Sequence, residues 1–227
     1  MILGFRTITF FIGGFIPGRV GTTIAVVGVI LSWIAPAFTG KYTRHRPIIF
    51  SHLLERLTAL IIMMFGETIV GIADYFTEQN FSIYSLLIFI SAVGLFFTYI
   101  LEFDHLIDED QTQQTGNLLI YLHYFILFGI SFFTVSLKFI SEPDANPIFA
   151  ASRLFAGIAL VYIGLGLANR YNRILVSGKL MATFAVTTIV GYLCNLHWHT
   201  FPSFVITSTV VIIVNAAILT YYKTVHE

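Results

Sequence analysis

Acid–base residues are scarce in this 227-residue sequence: 12 Lys and Arg, 12 Asp and Glu, and 7 His. Five of them, His52, Glu55, Arg56, Glu67 and Asp74, fall along one apolar run. On a helix turning about 100° per residue, Arg56 and Glu67 lie about 20° apart. On the same reckoning Asp74 lies within about 20° of Glu67, and His52 within about 40° of Arg56. These four form one polar stripe, with Glu55 about 100° round from Arg56. An ionised group facing lipid at the bilayer centre costs at least about 2.5–3.5 kcal/mol, so the stripe is expected to face other helices or water. Imidazole, carboxylate and guanidinium groups in such a place suit proton relay or ion binding.

Arg56 and Glu67 cannot pair with each other, because about 16 Å of helical rise separates them. Each therefore needs a partner on another helix. Glu102 ends the next apolar run, Asp104 follows it, and His123 and Arg153 sit within later runs. The expected partnerships are an inner cluster, Arg56 with Glu102 or Asp104 and His123 near Glu55, and an outer pair of Glu67 with Arg153. A purely structural role competes with each. Charged groups near span ends, such as Arg56, Lys138, Lys179 and Glu102, can extend to the interface, and His123 can be a packing histidine.

The elements that must position these groups are membrane helices. Hydrophobic residues form 57% of the chain, charged residues 11%, and the mean hydropathy is +0.85. The apolar residues come in runs long enough to cross a hydrocarbon layer of about 30 Å. The predicted spans are 2–16, 20–39, 50–73, 82–101, 117–139, 149–168, 177–196 and 203–222, forming a single all-α transmembrane bundle of seven or eight spans. Turn or polar residues separate them, from Pro17-Gly18 to the stretch 197–202. Backbone groups in lipid must be satisfied within the span, which requires helices. The alternation of a β-barrel strand is missing.

Lys41, Arg44 and Arg46 fall in one loop, Arg170, Arg173 and Lys179 in another, and Lys223 after the last span. With eight spans all three groups share a side, which the positive-inside rule makes cytoplasmic. Both termini are then cytoplasmic.

Other chemistry is thinly supported. His52-x-x-Glu55 has Arg56 where an inverted zinc motif needs its second histidine. His197-Trp198-His199 reads as an interfacial aromatic anchor before a metal site. The single Cys194 excludes an internal disulfide framework and a cysteine-rich metal site. Phosphate loops and nucleophile elbows are absent, so no catalytic residue, cofactor or metal is assigned. A formal net charge of zero without a basic stripe excludes nucleic acid as a partner. The expected partners are the lipid bilayer and a small solute or ion, with a homo-oligomer allowed.

His52-Leu-Leu-Glu55-Arg56, followed one helix length later by Phe65-Gly66-Glu67-Thr68, resembles the bacterial low temperature requirement protein A family. Glu102-Phe103-Asp104 is similar to the family's aromatic-acid ending, and His123 with Leu127-Phe128-Gly129-Ile130 to its next span. The resemblance covers residues 40–140, and beyond that only hydropathy agrees. An early acidic-aromatic signature expected of longer members is not found, so the chain reads as the later portion of the family fold. The resemblance implies a role in cell-envelope physiology and growth in the cold, and supplies no substrate or reaction. Three functions follow in order: a transporter or ion-permeation protein using intramembrane Glu, Arg and His; a non-catalytic envelope or cold-growth factor; and a membrane-embedded lipid-modifying enzyme.

Overall fold

A computed structural model describes residues 2–38, 48–111, 116–142, 144–174 and 176–226, which fall into two compact units. The first unit, residues 1–49 and 112–118, holds a helical hairpin of α1 (Ile2–Phe15) and α2 (Arg19–Phe38). The turn between them uses Gly18 at φ +86°, a conformation L side chains rarely adopt. The two helices approach closely: a Cβ on Gly13 would meet the Gly21 carbonyl at 2.7 Å. The basic loop residues Lys41, Arg44 and Arg46 lie outside the described residues.

The second unit, residues 50–111 and 119–227, carries the remaining helices. They are α3 (Phe50–Gly71), α4 (Ile83–Ile100), α5 (Asn117–Ser141), α6 (Pro147–Ala168), α7 (Gly178–His197) and α8 (Phe201–His226). Local chemistry sets their ends. Asn146 accepts from the Ile148 and Phe149 amides at 3.0 and 3.2 Å, and Pro147 stands where a free amide is not needed. Ser177 accepts from the Leu180 amide at 3.3 Å to start α7.

Among the described residues the fold is all-α, with eight α-helices. Among the described residues five helical segments are long and apolar enough to cross a bilayer: Ile83–Leu106, Asn117–Ile140, Pro147–Tyr171, Gly178–His197 and Phe201–Val225. The helix α1 has 14 residues, and the apolar stretch of α2, Arg19–Ala35, is also short. The helix α3 has 22 residues but carries Glu55, Arg56 and Glu67.

In the second unit α4 packs on α8, α6 on α7, and α7 on α8. The core is filled by side chains such as Ile61, Leu95, Ile126, Phe133 and Ile212. At the α5–α6 crossing, a Cβ on either Gly129 or Gly157 would meet the other's carbonyl oxygen at 2.7 Å, so the backbones touch there. Hydroxyl and amide pairs tie helices together: Ser91 with Thr209 at 2.7 Å, and Thr187 donating to Asn215 at 2.8 Å. Outward, α7 presents Val186, Ile189, Val190 and Leu193, an apolar face suited to acyl chains.

Candidate functional site

At the end of α4 the helix widens. Residues Leu101–Leu106 form a π-helical segment in which the Ile107 amide donates to the Glu102 carbonyl, five residues back, at 3.1 Å. Such segments occur often at functional sites because they re-aim side chains that a regular helix would place elsewhere. Here Glu102 points inward and is 1% exposed, while its neighbours Asp104 and His105 stay exposed.

The partner of Glu102 is an amide. Asn172 Nδ2 donates to Glu102 Oε1 at 2.6 Å. A short two-stranded clasp carries Asn172 there: Ile107 and Asn172 form an antiparallel bridge. Within it Asp108 N donates to Tyr171 O at 2.9 Å, and Arg173 N to Leu106 O at 2.8 Å. The Arg173 side chain stays outside, 3.5 Å from Asp108. Among the described residues Glu102 forms no ion pair. The second lone acceptor of the cluster, Asn172 Oδ1, is buried without a hydrogen-bond partner. The group therefore offers a buried carboxyl and a buried amide oxygen on neighbouring side chains. A carboxylic acid there needs an acceptor, and a carboxylate needs donors or a cation.

Beside it lies a second buried polar set. His123, 1% exposed, places Nδ1 2.7 Å from the Leu119 carbonyl and Nε2 3.1 Å from the Tyr99 hydroxyl. A carbonyl only accepts, so Nδ1 carries the proton, and in the neutral ring Nε2 accepts from Tyr99. The Tyr99 hydroxyl also lies 3.3 Å from Thr58 on α3. Phe103 packs against both, 4.4 Å from Tyr99 and 4.8 Å from His123 between ring centroids.

The expected partnerships are not the ones the fold makes. Glu102 meets Asn172 and not Arg56, and His123 meets Tyr99 and not Glu55. Glu55 lies 3.4 Å from His52, both exposed. Asp104 lies 3.8 Å from His105. Arg56 and Glu67 are exposed, on the face of α3 opposite Leu54, Ile61, Phe65 and Thr68. Glu67 stands four residues from the end of α3 and Arg56 six from its start, within about 6 and 9 Å of the helix ends. Interfacial reach serves both at those depths. Arg153 is not paired with Glu67; its guanidinium lies over Phe132, Phe139 and Phe149, 5.3 Å from each centroid.

Asp74 sits in a separate place, a cleft of about 540 Å³ at the other end of the bundle, with Tyr75, Asn80, Lys138 and Glu142. Beneath its floor at Gly71, Thr68 and Thr134 share a hydrogen bond of 2.8 Å. From Thr68 to Thr58 is about 15 Å along α3. Buried Ile61 and Phe65 on α3, and Ile126 and Ile130 on α5, fill that interval. Two polar ends are thus separated by a layer of buried apolar side chains.

Tyr99 and Asn172 carry no formal charge, so charge patterning does not single them out. Tyr99 stands three residues before Glu102, a spacing that could have flagged it. Asn172 lies between Tyr171 and Arg173 in a loop read only for its arginines. Among the described residues no group of three His, Cys, Asp or Glu side chains is arranged to hold a metal ion.

The family model for bacterial low temperature requirement A protein (LtrA) matches residues 1–217. The chain belongs to this family. The match runs past both ends of the 40–140 stretch whose motifs suggested it, taking in α1 and α2 as well as α6, α7 and most of α8. No curated protein and no solved structure matches the chain. The LtrA membership and the apolar helices together make it a membrane protein.

Proposed function

We propose that this LtrA-family chain is a transporter or ion-permeation protein of the bacterial cytoplasmic membrane, moving a proton, an ion or a small solute. Glu102 is its proton- or cation-binding carboxyl group, and His123 with Tyr99 is the adjacent relay. The observation that carries this reading is the buried Glu102 carboxyl, held by the Asn172 amide and paired with no Lys or Arg among the described residues. A carboxyl kept only to fix helix register needs no second buried acceptor beside it, and Asn172 Oδ1 is one that no donor among the described residues meets. The charged cleft at Asp74, Lys138 and Glu142 supplies an entrance on the far side, beyond the apolar layer. With both termini cytoplasmic, the Glu102 end faces the cytoplasm and the cleft faces outward.

Reconstitution in liposomes with a lumenal pH dye tests it. The native chain is expected to carry proton or proton-coupled flux under a pH gradient with a panel of small ions and solutes, and Glu102→Gln to abolish it. Flux absent from the native chain, or equal in Glu102→Gln, removes the proposal and leaves the charges a structural role.

A further inference from the structure

Arg153 is a cation inside a membrane segment, Pro147–Tyr171, with no acid paired to it among the described residues. Three aromatic rings hold it instead, each 5.3 Å from the guanidinium carbon, and two of them, Phe139 and Phe149, also touch edge to face at 6.2 Å. Contacts with ring faces use none of the five N–H donors of a guanidinium. Among the described residues Arg153 makes no hydrogen bond. Donors left free in hydrocarbon are costly, and no described residue accepts from them, which points to an acceptor outside the chain.

Position identifies that acceptor. Arg153 lies six residues into α6, about 9 Å of rise from its start, within reach of the headgroup layer for a long side chain. Phe139 and Phe149 are exposed at the same end of the bundle, so the cation is framed by surface that acyl chains cover. The required chemistry is a phosphate monoanion, whose oxygens match the planar fork of arginine. A free phosphate and a lipid headgroup share that chemistry, and the surrounding rings favour the lipid.

We propose that Arg153 is the anchor of an anionic phospholipid, its N–H groups on the phosphate and the lipid chain lying on Phe139 and Phe149. The rings fix the guanidinium at headgroup depth before the lipid arrives. This site is independent of Glu102 and of the transport reading.

Native mass spectrometry of the detergent-solubilised full chain, titrated with phosphatidylglycerol or phosphatidylcholine, tests it. Retention of phosphatidylglycerol is expected to exceed that of phosphatidylcholine about fivefold, the factor one interfacial basic residue contributes. Arg153→Gln should erase the preference, and Arg153→Lys should keep part of it, because the charge stays while the fork is lost. Equal retention of the two lipids by the native chain, or an unchanged preference in Arg153→Gln, overturns the proposal. Displacement of phosphatidylglycerol by millimolar inorganic phosphate overturns the lipid assignment. Should Arg153→Gln fail to fold, the native headgroup comparison and Arg153→Lys still decide.

Discussion

Asn172 and Glu102 are 70 residues apart in sequence and 2.6 Å apart in the fold, joining the loop after α6 to the π-helical end of α4. The contact makes a direct prediction. Asn172→Ala strips a buried carboxyl of its donor, a loss of about 1–3 kcal/mol. Glu102→Gln keeps a side chain of the same shape with its acceptor oxygen, so it should unfold within about 1 kcal/mol of the native chain. Thermal unfolding in detergent ranks the two. A Glu102→Gln chain less stable than Asn172→Ala would mean that the charge, not the hydrogen bond, holds the clasp.

Tyr99 joins Thr58 on α3 and His123 on α5, so one hydroxyl serves two helices. Tyr99→Phe leaves His123 Nε2 buried without a donor and should cost about 1–3 kcal/mol. The histidine itself should stay in the tautomer with the proton on Nδ1, because Leu119 O is still there to accept it. Nitrogen NMR of the labelled histidine reads both states. A proton on Nε2 in the native chain would reverse the direction assigned to the Tyr99–His123 bond.

Glu67 and Glu102 should behave oppositely, although the LtrA motif draws the eye to Glu67. Glu67 is exposed and has no ion-pair partner among the described residues. Glu67→Gln is expected to shift stability by less than about 0.5 kcal/mol, as for surface substitutions generally, and to leave liposome flux unchanged. Flux lost in Glu67→Gln and kept in Glu102→Gln would move the proposed ion site from the π-helical segment to α3.

The contrast between those two glutamates marks what the sequence could reveal. The all-α character was legible because long apolar runs end at turn chemistry, and Gly18, Ser82, Asn146 and Ser177 stand at helix ends. A helical wheel also showed that Arg56 and Glu67 share a face of α3. It could not say which face turns outward, because that depends on where α4 and α5 lie. The site was less legible still. Its bonds join Tyr99 to His123 and Glu102 to Asn172 across helices, and the π-helical segment shifts the register that a regular wheel would use for Glu102. Charge counting passed over Tyr99 and Asn172 because neither carries a formal charge.

Close backbone contact at Gly129 and Gly157 is a separate stability determinant. A methyl group on either would press on the opposite carbonyl at 2.7 Å, where no flexible side chain can yield. Gly129→Ala and Gly157→Ala are each expected to cost about 1–3 kcal/mol, as for overpacking. Gly66→Ala, with open space around its Cβ position, should be neutral or slightly stabilising near the end of α3. Equal melting temperatures for all three would show that α5 and α6 can separate without loss.

The membrane orientation decides which way the two polar ends face, and labelling can settle it. Asp110 lies in the polar stretch at the Glu102 end, and Asp144 between α5 and α6 at the cleft end, both exposed. Lys and Arg crowd the loops on the Glu102 side, so that side should be cytoplasmic. With the native thiol removed by Cys194→Ser, a membrane-impermeant maleimide is expected to label Asp144→Cys in intact cells. Asp110→Cys should react only after the membrane is permeabilised. The reverse pattern would place the Asp74–Glu142 cleft in the cytoplasm and Glu102 at the outer surface, and the proposed direction of access would invert with it.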